Sequence, residues 1–255
     1  MKNKGYGKYF VKAYDLLNTE INYTEWCDFY EKCFEKASKP VKNVCETACG
    51  TGNLAIELSK RGYNVTALDI SEEMLSEADK KAFDSGVSNI RFTLQDMCDF
   101  KLYTKPQAVI CMASSINCLK TNVQLEEAFT SAYNALDDGG VFIFDVSTKK
   151  KFETVYADNA YILEDEKVLL AWQNYYNTKT KRCDFYLSFF FENENGSYDR
   201  YDEVSGEKMF TEKTIVKTLN KAGFNDVSVF CGLDFSKGNE NTDDRLIYLC
   251  KKEEK

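Results

Sequence analysis

The chain has 255 residues, and its 41 acidic side chains exceed its 33 basic ones, which gives a net charge of −8 and an isoelectric point near 4.9. This balance provides no general attraction to phosphate backbones or anionic lipid, so a nucleic-acid or membrane partner is not expected. No run approaches 18 uncharged apolar residues, and residues 1–6 carry charge without an apolar segment, so we expect a cytoplasmic protein.

The cysteines and the missing histidines limit the metal chemistry of the chain. Ten cysteines are present, but none forms a Cys-x-x-Cys pair, and several fall in predicted buried strands. The absence of histidine excludes mixed His/Cys zinc sites, and an all-cysteine site would need close paired spacing. We therefore expect reduced core thiols and no bound metal.

The first predicted element is an amphipathic helix that Pro40 ends. Its apolar residues recur at helical spacing. They are Trp26, Phe29, Tyr30, Cys33, Phe34 and Ala37. We predict that residues 1–40 form a helical cover over the main domain.

Strand and helix patterns alternate after residue 40. The predicted elements span residues 41–46, 53–61, 64–69, 71–85, 90–94, 108–112, 122–136 and 141–146. Ser71 has the character of a helix N-cap, and Asp138-Gly139-Gly140 that of a turn back into the sheet. This alternation predicts a parallel sheet with right-handed crossovers.

The pattern changes in residues 151–207, where apolar residues recur with period two and Asn195-Gly196 marks a turn. We predict antiparallel strands that lie as a lid over the open end of the sheet. A helix at 212–222 and strands at 227–231 and 245–250 then rejoin the core. The expected fold is α/β: a Rossmann-like, doubly wound, mostly parallel seven-stranded sheet, built from residues 41–150 and 208–255, with an inserted β lid.

A glycine turn follows the first strand of this sheet. Gly50 and Gly52 allow a ligand to approach the backbone, and Asp69 ends the next strand 17 residues after Gly52, close to the spacing of a carboxylate that binds ribose hydroxyls. The third glycine that seats a pyrophosphate is missing. Glu46 would also repel a pyrophosphate, but it suits a cofactor with a sulfonium and an α-ammonium group. S-adenosylmethionine (SAM) fits this description better than NAD.

These residues resemble the class I SAM-dependent methyltransferases. The motifs are Glu46-x-Ala48-Cys49-Gly50-Thr51-Gly52, Asp69-Ile70-Ser71-x-x-Met74-Leu75 and Gln95-Asp96-Met97. The chain is most similar to a bacterial group of small methyltransferases of mostly unassigned substrate, which share Tyr14-Asp15-x-Leu17, Tyr23-x-x-Trp26 and Arg200-Tyr201-Asp202-Glu203. The resemblance covers nearly the whole chain and is more specific for the cofactor than for the acceptor.

The resemblance implies a set of cofactor-binding residues. Asp69 would accept the ribose hydroxyls, Asp96 the adenine amino group, and Tyr14 and Trp26 would cover the sulfonium. The full set is Tyr14, Trp26, Glu46, Ala48, Gly50, Gly52, Asp69, Ile70, Met74, Asp96, Met97 and Met112. The competing interpretations are an ordinary strand–helix turn for the two glycines, a turn or cap for the aspartates, and core packing for Tyr14, Trp26 and the apolar residues.

The acceptor side is less defined. Ser114 stands where the group commonly has Asp, and Ser205 where it usually has His. Without histidine, a base must be a carboxylate, a tyrosine or water, and we predict that Glu203, with Tyr201, contacts the acceptor. Exposed strand residues paired with lysines are the alternative for both. The run Lys149-Lys150-Lys151 is interpreted as a solvated loop, with an acceptor-binding basic patch as the alternative.

The predicted function is methyl transfer from SAM to an oxygen or nitrogen of a small molecule, by in-line displacement in a dry pocket. The alternatives are a SAM-binding regulatory partner without activity, an NAD-type oxidoreductase, and a tRNA or protein methyltransferase. No sequence motif indicates the oligomeric state.

Overall fold

The described part of the chain, residues 8–18, 21–165 and 167–254 of a computed structural model, contains eleven strands and seven α-helices. The strands are β1 (Asn43–Thr47), β2 (Asn64–Asp69), β3 (Ile90–Leu94), β4 (Ala108–Cys111), β5 (Val141–Ser147), β6 (Ala160–Asp165), β7 (Val168–Asn177), β8 (Arg182–Glu192), β9 (Tyr198–Lys208), β10 (Asp226–Phe230) and β11 (Arg245–Lys251). The helices are α1 (Lys8–Leu17), α2 (Tyr23–Phe34), α3 (Asn53–Lys60), α4 (Glu72–Asp84), α5 (Asn122–Ala135), α6 (Lys149–Lys151) and α7 (Glu212–Ala222). Where a helix or strand was predicted, its observed first and last residues lie within a few residues of the predicted ones.

The main sheet has seven strands in the order β10-β11-β5-β4-β1-β2-β3. The pairs among β1 to β5 are parallel, and β11 is antiparallel to both of its neighbours. The strand order reverses between β1 and β4, so the chain leaves a crevice at their carboxyl ends, where ligands bind in doubly wound folds. The predicted Rossmann-like sheet is confirmed.

Hydroxyl caps start α4, α5 and α7, because an oxygen at the N-cap satisfies an amide that has no partner within the helix. Ser71 accepts from the Met74 amide, as predicted, and Thr121 and Thr211 cap α5 and α7 in the same way. The apolar face of α5 is buried against the sheet, where Phe129 packs on Phe144.

A second sheet of four antiparallel strands, β6-β7-β8-β9, forms the predicted lid. Phe185, Leu187 and Phe189 alternate inward along β8 and are buried, whereas Tyr186 between them is half exposed. The same apolar cluster includes Ala13, so α1 packs on the inner face of the lid sheet.

The prediction of strand from residue 151 onward was wrong for its first residues. Thr148 caps α6, and a π-helical turn at Phe152–Tyr156 follows. Phe152 and Tyr156 pack edge to face at 5.0 Å and are buried under the lid sheet, and this tertiary packing decides the local structure. The division of the chain at residues 40, 150 and 207 stays a prediction.

All ten cysteines are free thiols, and most are buried, as predicted. Burial raises the pKa of Cys27 and Cys33 to about 12, so both stay protonated at neutral pH. Among the described residues, no cluster of three potential ligands could hold a metal ion. None of the helices described has the length and apolar character to cross a membrane.

Candidate functional site

The glycine turn at the end of β1 is held to β2 by Asp69. The amide of Gly50 donates to Asp69 Oδ2 and the amide of Ser71 donates to Asp69 Oδ1, both at 2.9 Å. Gly50 and Gly52 have φ of +54° and +76°, and Ala48 has +54°, a left-handed conformation that is costly for a residue with a Cβ. Each carboxylate oxygen accepts more than one hydrogen bond, so Asp69 keeps capacity for ribose hydroxyls.

The two glycines serve different purposes. A Cβ on Gly52 would lie 2.9 Å from Ala78 Cβ and 3.2 Å from the Phe92 ring, so Gly52 is needed because α4 and β3 pack against it. A Cβ on Gly50 would meet only Met74 Sδ at 3.9 Å and Tyr14 Cε1 at 4.0 Å. The sequence suggested ligand approach at both glycines; that role stays a prediction, and for Gly52 packing alone already explains the glycine.

Glu46 is a buried carboxylate without a full set of partners. Its side chain is 3% exposed, and Oε2 has no hydrogen-bond partner among the described residues. Burial, and then the charge of Asp69, raises the pKa of Glu46 to about 8. An acceptor that is buried and unpaired is costly, and a cation is its best partner. The site therefore fits the ammonium group of SAM.

We expect the stability of the protein to fall as the pH rises through the pKa of Glu46. The native carboxyl keeps its proton up to about pH 8, whereas the unfolded one loses it near 4.5, so stability declines between these values by up to about 1.4 kcal/mol per pH unit. Urea titrations from pH 5.5 to 8.5 should show this decline, with a flatter profile for Glu46→Gln.

The same group predicts a proton released on cofactor binding. A bound cation favours ionised Glu46, so below pH 8 each SAM bound should displace close to one proton. Calorimetry at pH 6.5 in buffers of different ionisation enthalpy measures this number. Equal proton release by wild type and Glu46→Gln would show that another group titrates.

The predicted adenine site lies beside Asp69. The amide of Gln95 donates to the Asp69 carbonyl at 3.0 Å, which brings Asp96 to the same edge of the sheet. Asp96 Oδ1 accepts from the Cys98 amide at 2.9 Å, so Asp96 closes a turn, the alternative role considered above. A contact between adenine and the other carboxylate oxygen of Asp96 stays a prediction.

The apolar residues of the predicted adenosine slot differ in exposure. Met74 and Met112 are buried, and the Met74 sulfur faces Gly50. Ile70 and Met97 are half buried, and Met97 packs against the main apolar core. Only the placement of Met74 beside the turn adds support to its predicted role.

The two aromatic residues assigned to the sulfonium lie in different surroundings. Tyr14 covers Gly50 from α1, and burial raises its pKa above the ordinary value, so it stays neutral. Trp26 packs in the core against Tyr30, at 5.7 Å between ring centroids, and the Arg245 guanidinium lies 5.4 Å above its ring. Trp26 therefore takes the core-packing role and already has a cation on its face.

A cavity of about 220 Å³ lies between α1, the carboxyl end of β4 and the lid sheet. It is lined by Phe10, Tyr14, Asn18, Ile21, Ala113, Ser114, Ser115, Cys118, Lys151, Tyr156, Leu163, Leu170, Trp172, Phe185, Leu187, Ser205, Glu207 and Arg245. Tyr14 belongs both to this wall and to the cover over Gly50. The cavity therefore borders the glycine turn.

Glu203 and Tyr201 do not line this cavity. Glu203 Oε1 accepts from the amides of Tyr9 and Phe10 at 3.2 Å, so it satisfies the N-terminal amides of α1. The rings of Tyr201 and Tyr9 stack with their centroids 3.5 Å apart. The predicted acceptor-contacting pair instead fastens α1 to the lid sheet, because Glu203 faces a helix whose position the sequence does not reveal.

The other side of α1 is fastened to the glycine turn. Asp15 accepts from Thr51 Oγ1 at 2.7 Å, from Asn53 Nδ2 at 2.9 Å and from Lys81 Nζ at 2.5 Å. Helix α1 thus connects the turn with the lid sheet, directly over the predicted methionine end of the cofactor.

Glu203→Ala is expected to speed the dissociation of SAM several-fold, because α1 loses its N-terminal acceptor, a loss of about 1 kcal/mol. Stopped-flow fluorescence would measure the rate. Glu203→Gln keeps an acceptor oxygen and should behave nearly as wild type, and Asp202→Ala, on the exposed face of β9, is the matched control. Lower turnover of Glu203→Ala with unchanged SAM dissociation would instead support the acceptor contact predicted from the sequence.

A chain of buried polar groups runs behind the cavity. Asp145 Oδ2 accepts from the amide and hydroxyl of Ser114, at 2.9 and 3.1 Å. The Ser147 hydroxyl donates to Ser114 Oγ at 3.2 Å and lies 3.4 Å from the Tyr156 hydroxyl, which donates to Glu207 Oε2 at 3.2 Å. The network reaches from the end of β5 to the lid.

Glu207 was not predicted from the sequence, and Lys151 was assigned with its neighbours to a solvated run. Glu207 lies four residues after Glu203 and therefore on the same face of β9, so the strand alternation could have indicated it. Lys149 and Lys150 pair with Glu153 and Asp244 on the surface, as expected of a solvated run, but Lys151 turns into the cavity. Because residues 149–151 are helical, their side chains point in different directions.

Comparison with known proteins agrees with this geometry. The family model for the methyltransferase domain matches residues 44–140. The protein named "Putative methyltransferase YqeM" of Bacillus subtilis (strain 168) is 33% identical over 217 residues, covering 84% of this chain and 85% of its own. A dTDP-3-amino-3,4,6-trideoxy-alpha-D-glucopyranose N,N-dimethyltransferase of Streptomyces venezuelae is 34% identical over 103 residues, 40% of this chain and 41% of its own.

A solved structure covers almost the whole chain. It is an S-adenosylmethionine-dependent methyltransferase from Clostridium acetobutylicum ATCC 824, 30% identical, with a TM-score of 0.85 over 96% of this chain and 98% of its own. Both the cofactor half and the lid sheet fall within that match. The chain belongs to the S-adenosylmethionine-dependent methyltransferases.

Proposed function

We propose that the protein transfers the methyl group of SAM to a nitrogen or oxygen of a small molecule held in the cavity under the lid sheet. The observation that carries the proposal is the shared wall at Tyr14, which lies over Gly50 on one side and lines the cavity on the other. A donor at the turn and an acceptor in the cavity would then be neighbours.

The size and lining of the cavity support a small acceptor. Its volume of about 220 Å³ is below that of common drug-sized sites, roughly 300–1,000 Å³. Aromatic and aliphatic side chains form most of the lid side, with Trp172 as the largest, and the indole N–H of Trp172 has no partner among the described residues. An acceptor with an apolar body fits this lining.

The partial relative that acts on an amino sugar supports nitrogen as the atom methylated, but it covers only 40% of this chain. We therefore keep oxygen as the second candidate. The missing third glycine counts against an NAD-type reaction, since that residue helps to seat a pyrophosphate at the helix N-terminus.

The chemistry supplied by SAM is an electrophilic methyl group on a sulfonium. The residues of the chain would hold the reactants: Glu46 would pair with the ammonium and Asp69 with the ribose, while Tyr14 covers the turn. The cavity would limit the access of water and hold the acceptor in line, which supplies a large part of the rate of such displacements.

The free cysteines support the expected cytoplasmic location, because reducing compartments keep thiols unpaired. Fractionation of the native cells would test it. Recovery with secreted proteins would contradict this part of the proposal.

The experiment that tests the function begins with calorimetric titration of SAM, S-adenosylhomocysteine and NAD. A panel of amines, matched alcohols, RNA and proteins is then incubated with SAM, and S-adenosylhomocysteine is quantified. We expect micromolar SAM binding, no NAD binding, and turnover with a small amine or alcohol. Turnover confined to RNA or protein would overturn the small-molecule proposal.

A further inference from the structure

The lid sheet directs one carboxylate into the cavity. Glu207 on β9 is 9% exposed and lines the cavity together with Ser205. Its Oε2 accepts from the Tyr156 hydroxyl at 3.2 Å, which fixes the orientation of the group. The same cavity is lined by Tyr14, which covers the glycine turn, and by Ser114 after the end of β4.

Charged and titratable groups surround Glu207 on every element packed against it. Lys151 from α6, Tyr156 from the π-helical turn and Arg245 from β11 favour the ionised form, whereas Asp145 from β5 opposes it, and Cys183 faces it from β8. Burial is the largest effect and raises the pKa of Glu207 to about 7. Burial also lowers the pKa of Lys151.

No other carboxylate among the described residues that line the cavity is available as a base. Among the lining residues that the structure describes, Glu207 is the only acidic one. Asp145, behind Ser114, is bonded to that residue twice and lies 3.5 Å from Arg245 Nε. Glu203 is bonded to α1, and the chain has no histidine.

We propose that Glu207 is the general base of the reaction, with Lys151 and Tyr156 as its positioning residues. The role rests on the proposed function, since it requires an acceptor that loses a proton. As the lone pair of the acceptor forms the bond to the methyl carbon, the carbon–sulfur bond breaks with its electrons going to sulfur. The proton of the acceptor nitrogen or oxygen passes to a Glu207 carboxylate oxygen. A carboxylate whose pKa lies near the working pH suits this task.

The first test needs no acceptor. Infrared difference spectra of the whole protein, recorded from pH 5 to 9, should contain a protonated-carboxyl band that titrates near pH 7 and is missing from Glu207→Gln. Glu164→Gln, an exposed position on β6 of the same sheet, is the matched control and should leave that band intact. If the only band lost in Glu207→Gln titrates at pH 4–5, Glu207 is an ordinary carboxylate and the proposal is overturned.

The second test uses the acceptor found in the panel. Glu207→Gln should lower kcat by about 100-fold or more, change SAM affinity less than two-fold, and remove the acid limb of the pH profile near 7. Lys151→Gln should move that limb to higher pH, because the cation that favours ionised Glu207 is gone. Turnover of Glu207→Gln within three-fold of wild type, with the limb retained, would overturn the base assignment.

The two proposals fail differently. If wild type and Glu207→Gln methylate a small acceptor equally well, only the assignment of Glu207 as general base is refuted. A wild-type protein that binds SAM and methylates only RNA or protein refutes the proposed function, and the infrared titration still decides the state of Glu207.

Discussion

Gly52→Ala is expected to destabilise the protein by about 2–5 kcal/mol, whereas Gly50→Ala should cost only about 1–2 kcal/mol. Both glycines have positive φ, which costs an L-residue about 1–2 kcal/mol. The difference comes from the Cβ: at Gly52 it would lie 2.9 Å from Ala78 Cβ, an atom fixed to the α4 backbone, whereas at Gly50 its nearest neighbour is at 3.9 Å. Overpacking against such an atom adds about 1–3 kcal/mol.

Urea unfolding would measure the difference in stability between the two variants. Titration with SAM would show whether either substitution also weakens cofactor binding in the folded protein. Gly50→Ala should stay folded but bind SAM more weakly, since its methyl group enters the space beneath Tyr14. In Gly52→Ala, the additional change Ala78→Gly should recover part of the lost stability by removing the opposing atom. Equal destabilisation by the two single substitutions would show that backbone conformation, and not packing, decides both.

The sequence predicts those parts of the site that local patterns determine. The strand, the glycine turn, the next strand and Asp69 follow one another within 27 residues, so periodicity and turn chemistry suffice to place them. The cap at Ser71 and the inward face of β8 were accessible for the same reason.

The sequence could not decide contacts between distant elements. Glu203 and Glu207 share one face of β9. Glu203 bonds α1 and Glu207 lines the cavity only because of where α1 lies, and α1 is nearly 200 residues away in sequence. Residues 152–156 likewise become a π-helical turn because Phe152 and Tyr156 are buried under the lid sheet. Trp26 lies in the core for a similar reason, since Arg245 covers it from the far end of the chain.

Asp69→Ala is expected to weaken SAM binding by about 1–3 kcal/mol, or roughly 5–150-fold, the scale of lost hydrogen bonds to a charged acceptor. The substitution also removes the acceptor of the Gly50 and Ser71 amides, so the turn itself loosens. Asp69→Asn separates the two effects. It keeps one carbonyl oxygen for an amide, but its NH₂ group cannot accept a ribose hydroxyl.

Calorimetric titration of SAM would compare both variants with Asp79→Ala, an exposed position on α4 that should bind as wild type does. If Asp69 contacts the ribose, Asp69→Asn should lose nearly as much affinity as Asp69→Ala while it retains more stability toward urea. Wild-type affinity in a folded Asp69→Ala variant would show that Asp69 only stabilises the turn. The ribose would then need another hydrogen-bond acceptor. Because Asp69 also raises the pKa of Glu46, both variants should lower the pH at which SAM binding ceases to release a proton.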